Sequence, residues 1–311
     1  MKLFLGSVQL GLIYAILAYG IYISFRVLSV PDLTTEGSFA FGLSVSAAMT
    51  AMGHPVLALP AAMLCGACAG AVTGLLQTKM RIHPILSGII TMSGLYSVNL
   101  FMLGVAPYLQ GKTANLADGA SNLSLIGVDT VFKIVPFLDK KTAMTVLPVF
   151  FSLLSLLLLA LFFRTHIGMC IRAVGDNEAM VRASSINTDG CKILGFAISN
   201  AFIALSGALI AQYQGYGDIS SGSGILVVGL ASVIIGEVVF GRHGVTVGFL
   251  SALFGSLLYR LIIAYATKYS PLPAYMLKLL SALIVALALS LPAIRERVRS
   301  GKLKKAGARD A

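Results

Sequence analysis

The chain alternates long, continuous apolar runs with short polar breaks. A membrane-crossing helix needs about 20 predominantly apolar residues. Such runs are predicted near 4–25, 37–53, 56–77, 85–104, 143–163, 193–213, 225–241, 245–265 and 273–292. Within them polarity does not alternate: 152–163 reads SLLSLLLLALFF, unlike the alternating strands of a membrane barrel. The pattern predicts an all-α, polytopic transmembrane helix bundle of about nine spans, with about eight to ten compatible. The second and seventh runs are short and glycine-rich, so they are expected to be broken or re-entrant. The longest break, 105–142, carries Pro107, Gly111, Gly119, Gly127 and Pro136. Gly66, Gly70 and Gly74 recur four apart on one helical face, as do Gly244 and Gly248, a spacing that lets membrane helices approach closely.

Composition agrees with that pattern. The 311 residues are 57% hydrophobic and 11% charged, with mean hydropathy +0.90, against roughly 25% charged in soluble domains. A chain this short cannot bury so much apolar side chain, so the surface must face lipid. The net charge of +11 raises nucleic acid as a partner. The basic residues gather in loops and at the C-terminus, which argues for orientation in a membrane and against nucleic acid. Arg295, Arg297, Arg299, Lys302, Lys304, Lys305 and Arg309 place the C-terminus in the cytoplasm, as a basic tail (293–311) after a membrane domain (1–292). Counting back puts Arg242, 164–192 and Lys79 with Arg81 inside, and 105–142 outside. The same count places the N-terminus outside, against Lys2, and Asp32 and Glu36 on the cytoplasmic side. No cleavable leader is expected at the start.

Several chemistries lack their residues. There is no G-x-x-x-x-G-K-[ST] phosphate loop and no H-E-x-x-H. His54, His83, His166 and His243 are scattered, each near a glycine, proline or basic residue. Cys65 and Cys68 form a CxxC inside an apolar helix with no further ligand nearby, so no metal site and no cofactor are expected. Cys170 and Cys191 are expected to be reduced thiols. Glu237, Arg260 and Lys278 are the charged residues within spans, each expected to reach a span end. No converging His, Asp or Glu suggests catalysis, and no chain of carboxylates suggests a proton pump.

The most informative stretch is the polar island 164–192, RTHIGMCIRAVGDNEAMVRASSINTDGCK. Arg164 ends an apolar span and Gly168 allows a bend. A short helix over about 170–182 is expected to lie along the membrane, with Arg172 and Asp176 on one side. Asn187, Thr188 and Asp189 offer cap side chains for the next helix. An amphipathic loop held by Arg–Asp pairs explains these residues as well as a docking surface does.

The island and the helix after it resemble the cytoplasmic loop of bacterial ABC-importer inner-membrane permeases of the branched-chain amino acid and ribose type. Arg164, Thr165, Gly168, Arg172, Ala173, Gly175, Asp176, Asn177 and Glu178 fit the family pattern, as do Ile186, Asn187, Lys192, Phe196, Ser199, Gly207 and Ala208. Ser185 and Gly195 depart from it, standing where the family has Gly and Ala. GSGILVVGLASVIIGEVVFG at 222–241 resembles the family's glycine-rich span. VPDLTTEGSFAFG at 30–42 resembles a branch found beside lipoprotein-type amino-acid binding proteins.

The resemblance implies a multi-pass permease of the bacterial inner membrane that forms a path for a small polar solute, an amino acid above all. Its implied partners are separate ABC ATPase subunits, an extracytoplasmic solute-binding lipoprotein, a second permease copy and membrane lipid. ATP hydrolysis is expected on the partner subunits, which drive alternating access. Arg172, Gly175, Asp176, Asn177, Glu178 and Arg182 become the residues coupling to the ATPase. Polar residues in apolar spans are candidates for the solute path: Asn99, Asn200, Ser93 and Ser206, with Asp32 and Glu36. Helix–helix hydrogen bonding explains each equally. The segment from Gly215 to Gly224, with Asp218, is expected outside, where it could meet the binding protein or form a simple loop. A sugar importer of the ribose type and a stand-alone secondary transporter or channel remain rival readings. A membrane-embedded enzyme would need a constellation that is missing.

Overall fold

A computed structural model describes residues 2–109, 120–134, 140–241 and 244–269, with Leu279, Ala282, Leu283, Ala286 and Ser290. The elements are α1 (Lys2–Tyr22, running into a π-turn at Ile23–Val27), α2 (Thr35–Ala51), α3 (Pro55–Thr78), α4 (Pro84–Leu109), β1 (Asn122–Ser124), a single turn α5 (Val131–Ile134), α6 (Lys140–Phe162), α7 (His166–Asp176), α8 (Glu178–Ala183), α9 (Thr188–Gln214), β2 (Tyr216–Asp218), α10 (Ile225–Phe240) and α11 (Gly244–Tyr269). Pro55 and Pro84 open α3 and α4, where a missing N–H costs nothing. Gly215 closes α9 in the left-handed conformation.

Seven helices among the described residues are long and apolar enough to cross a membrane: Phe4–Val27, Pro55–Thr78, Pro84–Leu109, Thr142–Phe162, Thr188–Gln214, Ile219–Phe240 and Gly244–Lys268. They match seven of the predicted runs. The run at 37–53 folds as the 17-residue α2, about 25 Å long and short of a ~30 Å hydrocarbon core. The run at 273–292 and the basic tail lie outside the described residues.

Helix α9 is the axis of the bundle. It packs along α3 and α2 and against α1, and from Ser199 to Gln212 its side chains are buried without interruption. Backbones meet through glycine. A Cβ at Gly66, Gly70 or Gly74 would run into α9 at Asn200, Phe196 and Ile193, so the predicted small-residue face is the α3–α9 contact. Gly42 and Gly207 make the α2–α9 contact in the same way, against Ala204 and Phe39. The predicted α11 pair divides: Gly248 packs on the Tyr22 ring, whereas Gly244 has nothing nearby and adopts φ 71° at the helix start. Leucines along α6, including Leu153, Leu157 and Leu161, face outward and are exposed, as a lipid-facing helix requires.

Two elements start inside the bundle. After the π-turn the chain does not leave the island end: it turns back, and Asp32 is fully enclosed beside α9. Its partner Asn200 lies ~18 Å along α9 from Thr188. α2 therefore begins near mid-depth and runs to the far end. The charge count had put Asp32 and Glu36 at the cytoplasmic side, because counting registers only sign and order. Helix α10 starts beside Glu36 and ends near Arg26, so it too begins mid-bundle. The two short, glycine-rich runs are therefore broken crossings, each becoming helical only near mid-depth.

Arg260 corrects a second expectation. It lies ~24 Å into α11, and its guanidinium stacks on the Tyr14 ring at 3.8 Å instead of reaching a helix end. Glu237 also finds a protein partner, in an ion pair with Arg26. Lys278 lies outside the described residues.

Candidate functional site

The polar island folds as two helices. Thr165 caps α7, accepting from the Gly168 N–H at 3.3 Å. The single helix expected over 170–182 breaks at Asn177. That residue is extended (φ −156°, ψ 96°) and its side chain caps α8, accepting from the Met180 N–H at 3.1 Å. The sequence signal was present, because Asn followed by Glu is a helix start as readily as a helix interior. Asn187 caps α9, accepting from the Gly190 N–H at 3.0 Å, as expected.

The ion pairs of the island include one expected Arg–Asp pair, Arg182 with Asp189, but centre on Glu178. Glu178 accepts from Arg182 at 2.9 Å and from Lys192 at 2.6 Å, fastening α8 to α9. Asp189 receives Lys79 at 3.4 Å and Arg182 at 3.9 Å, joining the α3 end to this cluster. These exposed pairs are each worth only ~0–1 kcal/mol, so they orient the helices more than they stabilise them. Arg172 and Asp176 stand apart. They are exposed, and they share a cavity of about 270 Å³ with the Arg26–Glu237 pair.

Gly175 has a different use from its neighbours. A Cβ there would overlap the Val27 carbonyl oxygen, so α7 rests directly on the end of α1. Val27 leads within a few residues to Asp32. The six predicted island residues thus separate by geometry. Gly175, Asn177 and Glu178 build and seat the helices, while Arg172 and Asp176 present charge to the outside and Arg182 does both.

Ser185 is the departure in this turn, and its backbone explains the glycine preference. It adopts φ 60°, a left-handed conformation that costs a non-glycine residue ~1–2 kcal/mol. Glycine returns ~0.5–1 kcal/mol of that through the freer unfolded chain. Ser185→Gly is therefore expected to stabilise by up to ~1 kcal/mol. A lower thermal midpoint of the solubilised protein would contradict this.

A second cavity, of about 510 Å³, opens between α2, α4 and the segment after β2. β2 pairs antiparallel with β1, matching Asn122 with Asp218. The chain then dips inward through a 3-10 turn, Ile219–Gly222, which packs on α2. The segment carrying Asp218 is therefore folded back into the bundle, with Asp218 at the cavity wall. There it faces Glu36, Ser93, Tyr96 and Asn99. Glu36 accepts from the Gly224 N–H at 2.9 Å, tying the start of α2 to the start of α10.

Of the expected path residues, Glu36, Ser93 and Asn99 line this cavity. Asn200 does not. It donates to Asp32 at 2.8 Å and to the Phe196 carbonyl at 3.0 Å. Asp32 in turn accepts from the Thr34 N–H at 2.9 Å, and Thr34 meets Thr73 at 2.8 Å. Ser206 donates to the Ile13 carbonyl at 2.9 Å, a helix–helix contact. Sequence reasoning missed Tyr96, and it gave Asp218 a side of the membrane but no depth. The Gly-Asp-Ile-Ser-Ser-Gly composition signals a turn but not its depth.

A bundle of lipid-facing helices, seven of them among the described residues long and apolar enough to cross a membrane, with a largely apolar cavity that carries Glu36, Asn99 and Asp218, defines a polytopic membrane protein. The chain belongs to the family described as branched-chain amino acid transport system / permease component, which it matches over residues 3–289. It is 36% identical over 276 residues to the tyrosine transport system permease protein of Clostridioides difficile, covering 88% of this chain and 86% of that one. It is 24% identical to the ribose import permease protein RbsC of Haemophilus influenzae, over 71% of this chain and 64% of that one. It is 27% identical to the autoinducer 2 import system permease protein LsrC of an Enterobacter strain, over 71% and 62%. No solved structure matches it. The protein is a multi-pass inner-membrane protein, and its family is one of transport permeases, not of catalytic enzymes.

Proposed function

We propose that this chain is the membrane-embedded subunit of an ATP-binding-cassette importer for a small polar solute, an amino acid, working with separate ATPase subunits, an extracytoplasmic binding protein and a second permease copy. The observation that carries this reading is the seat of α7. The exposed Arg172 and Asp176 stand on a helix that rests through Gly175 on Val27. From Val27 a short segment runs to Asp32, pinned to Asn200, and on to Glu36 at the cavity. A partner that moves α7 thus acts on a contiguous set of packed groups ending where solute would pass. The island then faces the cytoplasm and the β1–β2 end faces the binding protein. Amino acid is favoured over sugar because the relative named for tyrosine is 36% identical and the one named for ribose 24%.

Charge at a docking surface sets register and partner choice more than raw affinity. Arg172→Glu or Asp176→Lys is therefore expected to uncouple transport and leave folded permease in the membrane. The measurement is solute-stimulated ATP hydrolysis by the reconstituted complex. Unchanged stimulation in both variants would sink the assignment.

A further inference from the structure

The cavity between α2, α4 and the post-β2 segment has a chemistry of its own. Among its described lining residues the ionisable side chains at neutral pH are Glu36 and Asp218, both acidic, with no lysine or arginine. Each carboxylate is held by the fold: Glu36 by the Gly224 N–H, Asp218 by the Ser220 N–H at 2.9 Å and the Ser220 hydroxyl at 2.6 Å. Held this way, they keep acceptor positions for something else. Asn99 adds a third acceptor. It is 1% exposed, its amide nitrogen donates to the Gly37 carbonyl at 3.4 Å, and its Oδ1 has no hydrogen-bond partner. A buried carbonyl oxygen without a donor costs ~1–3 kcal/mol, so a donor-bearing ligand gains by reaching it. The rest of the lining combines Ala40, Met92, Ile219 and the Tyr96 ring, which is 56% exposed, with the serines Ser93, Ser121, Ser220 and Ser223.

Three acceptors with a net negative charge repel a solute whose only charge is a carboxylate and give a neutral polyol no charge-assisted hydrogen bond. They suit a group with several N–H donors and positive charge on an apolar body. We propose that this cavity binds the ammonium group of a primary amine through Glu36, Asp218 and Asn99, so that the permease itself selects an amino-bearing solute. The inference rests on the permease reading only for placing the cavity on the solute path; the selectivity follows from the lining.

The test uses the purified full-length permease in lipid nanodiscs, without ATPase or binding protein. Four probes separate the chemistries: tyramine (ammonium, no carboxylate), 3-(4-hydroxyphenyl)propanoate (carboxylate, no ammonium), L-tyrosine and ribose. Saturable binding by equilibrium dialysis is expected for tyramine and L-tyrosine and not for the other two. Glu36→Gln and Asp218→Asn each keep an acceptor for the backbone N–H they serve, so the fold is retained, which size-exclusion and thermal midpoint verify. Each is expected to weaken tyramine binding about 10-fold or more, the loss of one charge-assisted hydrogen bond. Equal binding of the propanoate, binding of ribose, or unchanged tyramine affinity in both variants overturns the proposal. Absence of saturable binding by every probe overturns it as well. Solute-stimulated hydrolysis by the assembled importer would in that case leave the permease reading standing.

Discussion

Gly175→Leu is expected to abolish solute-stimulated ATP hydrolysis by the assembled complex while the permease still inserts. The cause is steric. A Cβ at this position would overlap the Val27 carbonyl, which is backbone and cannot rotate aside. Either α7 lifts from α1 or the π-turn Ile23–Val27 shifts. Forced overpacking of this kind costs ~1–3 kcal/mol even where neighbours can relax. α7 also packs on α9 and buries Ile171 and Val174, so a side chain at 175 must displace α7 from its seat or move the π-turn beneath it. Arg172 and Asp176 would then be carried out of register with any partner. Gly190→Ala is the control, because its Cβ would meet only the Asn187 side chain, at 3.4 Å. Membrane content by immunoblot separates insertion from coupling. Normal stimulation by the leucine variant would mean that the Val27 seat transmits nothing.

Asn200→Ala is expected to be the most destabilising small substitution in the bundle. It removes the amide that donates to Asp32 from a site where both residues are buried. Leaving a buried acceptor without its donor costs ~1–3 kcal/mol, and more where the acceptor is charged, since Asp32 has no water to turn to. Thr34 is the partner then left to it, through its N–H and its hydroxyl. Adding Asp32→Asn to this variant takes away the charge and keeps an oxygen for Thr34. The double variant is thus expected to be more stable than Asn200→Ala alone. Thermal unfolding of the detergent-solubilised permease gives the comparison. A double variant that is less stable than the single one would show that Asp32 is not the group Asn200 serves.

Legibility in the sequence followed the range of the physics. The apolar runs were readable because a lipid environment imposes length and composition on each helix separately. The Gly66–Gly70–Gly74 face was readable because a four-residue period is local, although the partner helix α9 was not. Asn187 was readable as a cap for the same reason. The break at Asn177 was written in the sequence yet overruled by periodicity, since a cap residue and a helix-interior residue look alike until the backbone dihedrals are known. Gly175 was legible as a member of the island but not as a seat, because nothing near it in sequence names Val27.

The candidate cavity was harder to see. Glu36 and Asn99 stood out as polar residues in or beside apolar spans. Asp218 sat in a segment that any charge count sends outside. Asn200 attracted attention for the same reason as Asn99 and turned out to hold Asp32, 168 residues away. Polarity within a span marks a buried polar group; it does not say whether the group meets another helix or a cavity.

By itself the sequence determined the membrane class, seven of the crossing helices, the close-packing glycine face and the charged island, and these are properties of single segments. The tertiary structure decided depth and convergence: that α2 and α10 begin inside the bundle, that Glu36 meets Gly224, and that Glu36, Asn99 and Asp218 line one cavity. The reason is physical. The depth at which a broken crossing becomes helical depends on which helices it packs against, here α9 through Gly42 and Gly207. That choice is made by contacts distant in sequence, which no local pattern of polar and apolar residues encodes.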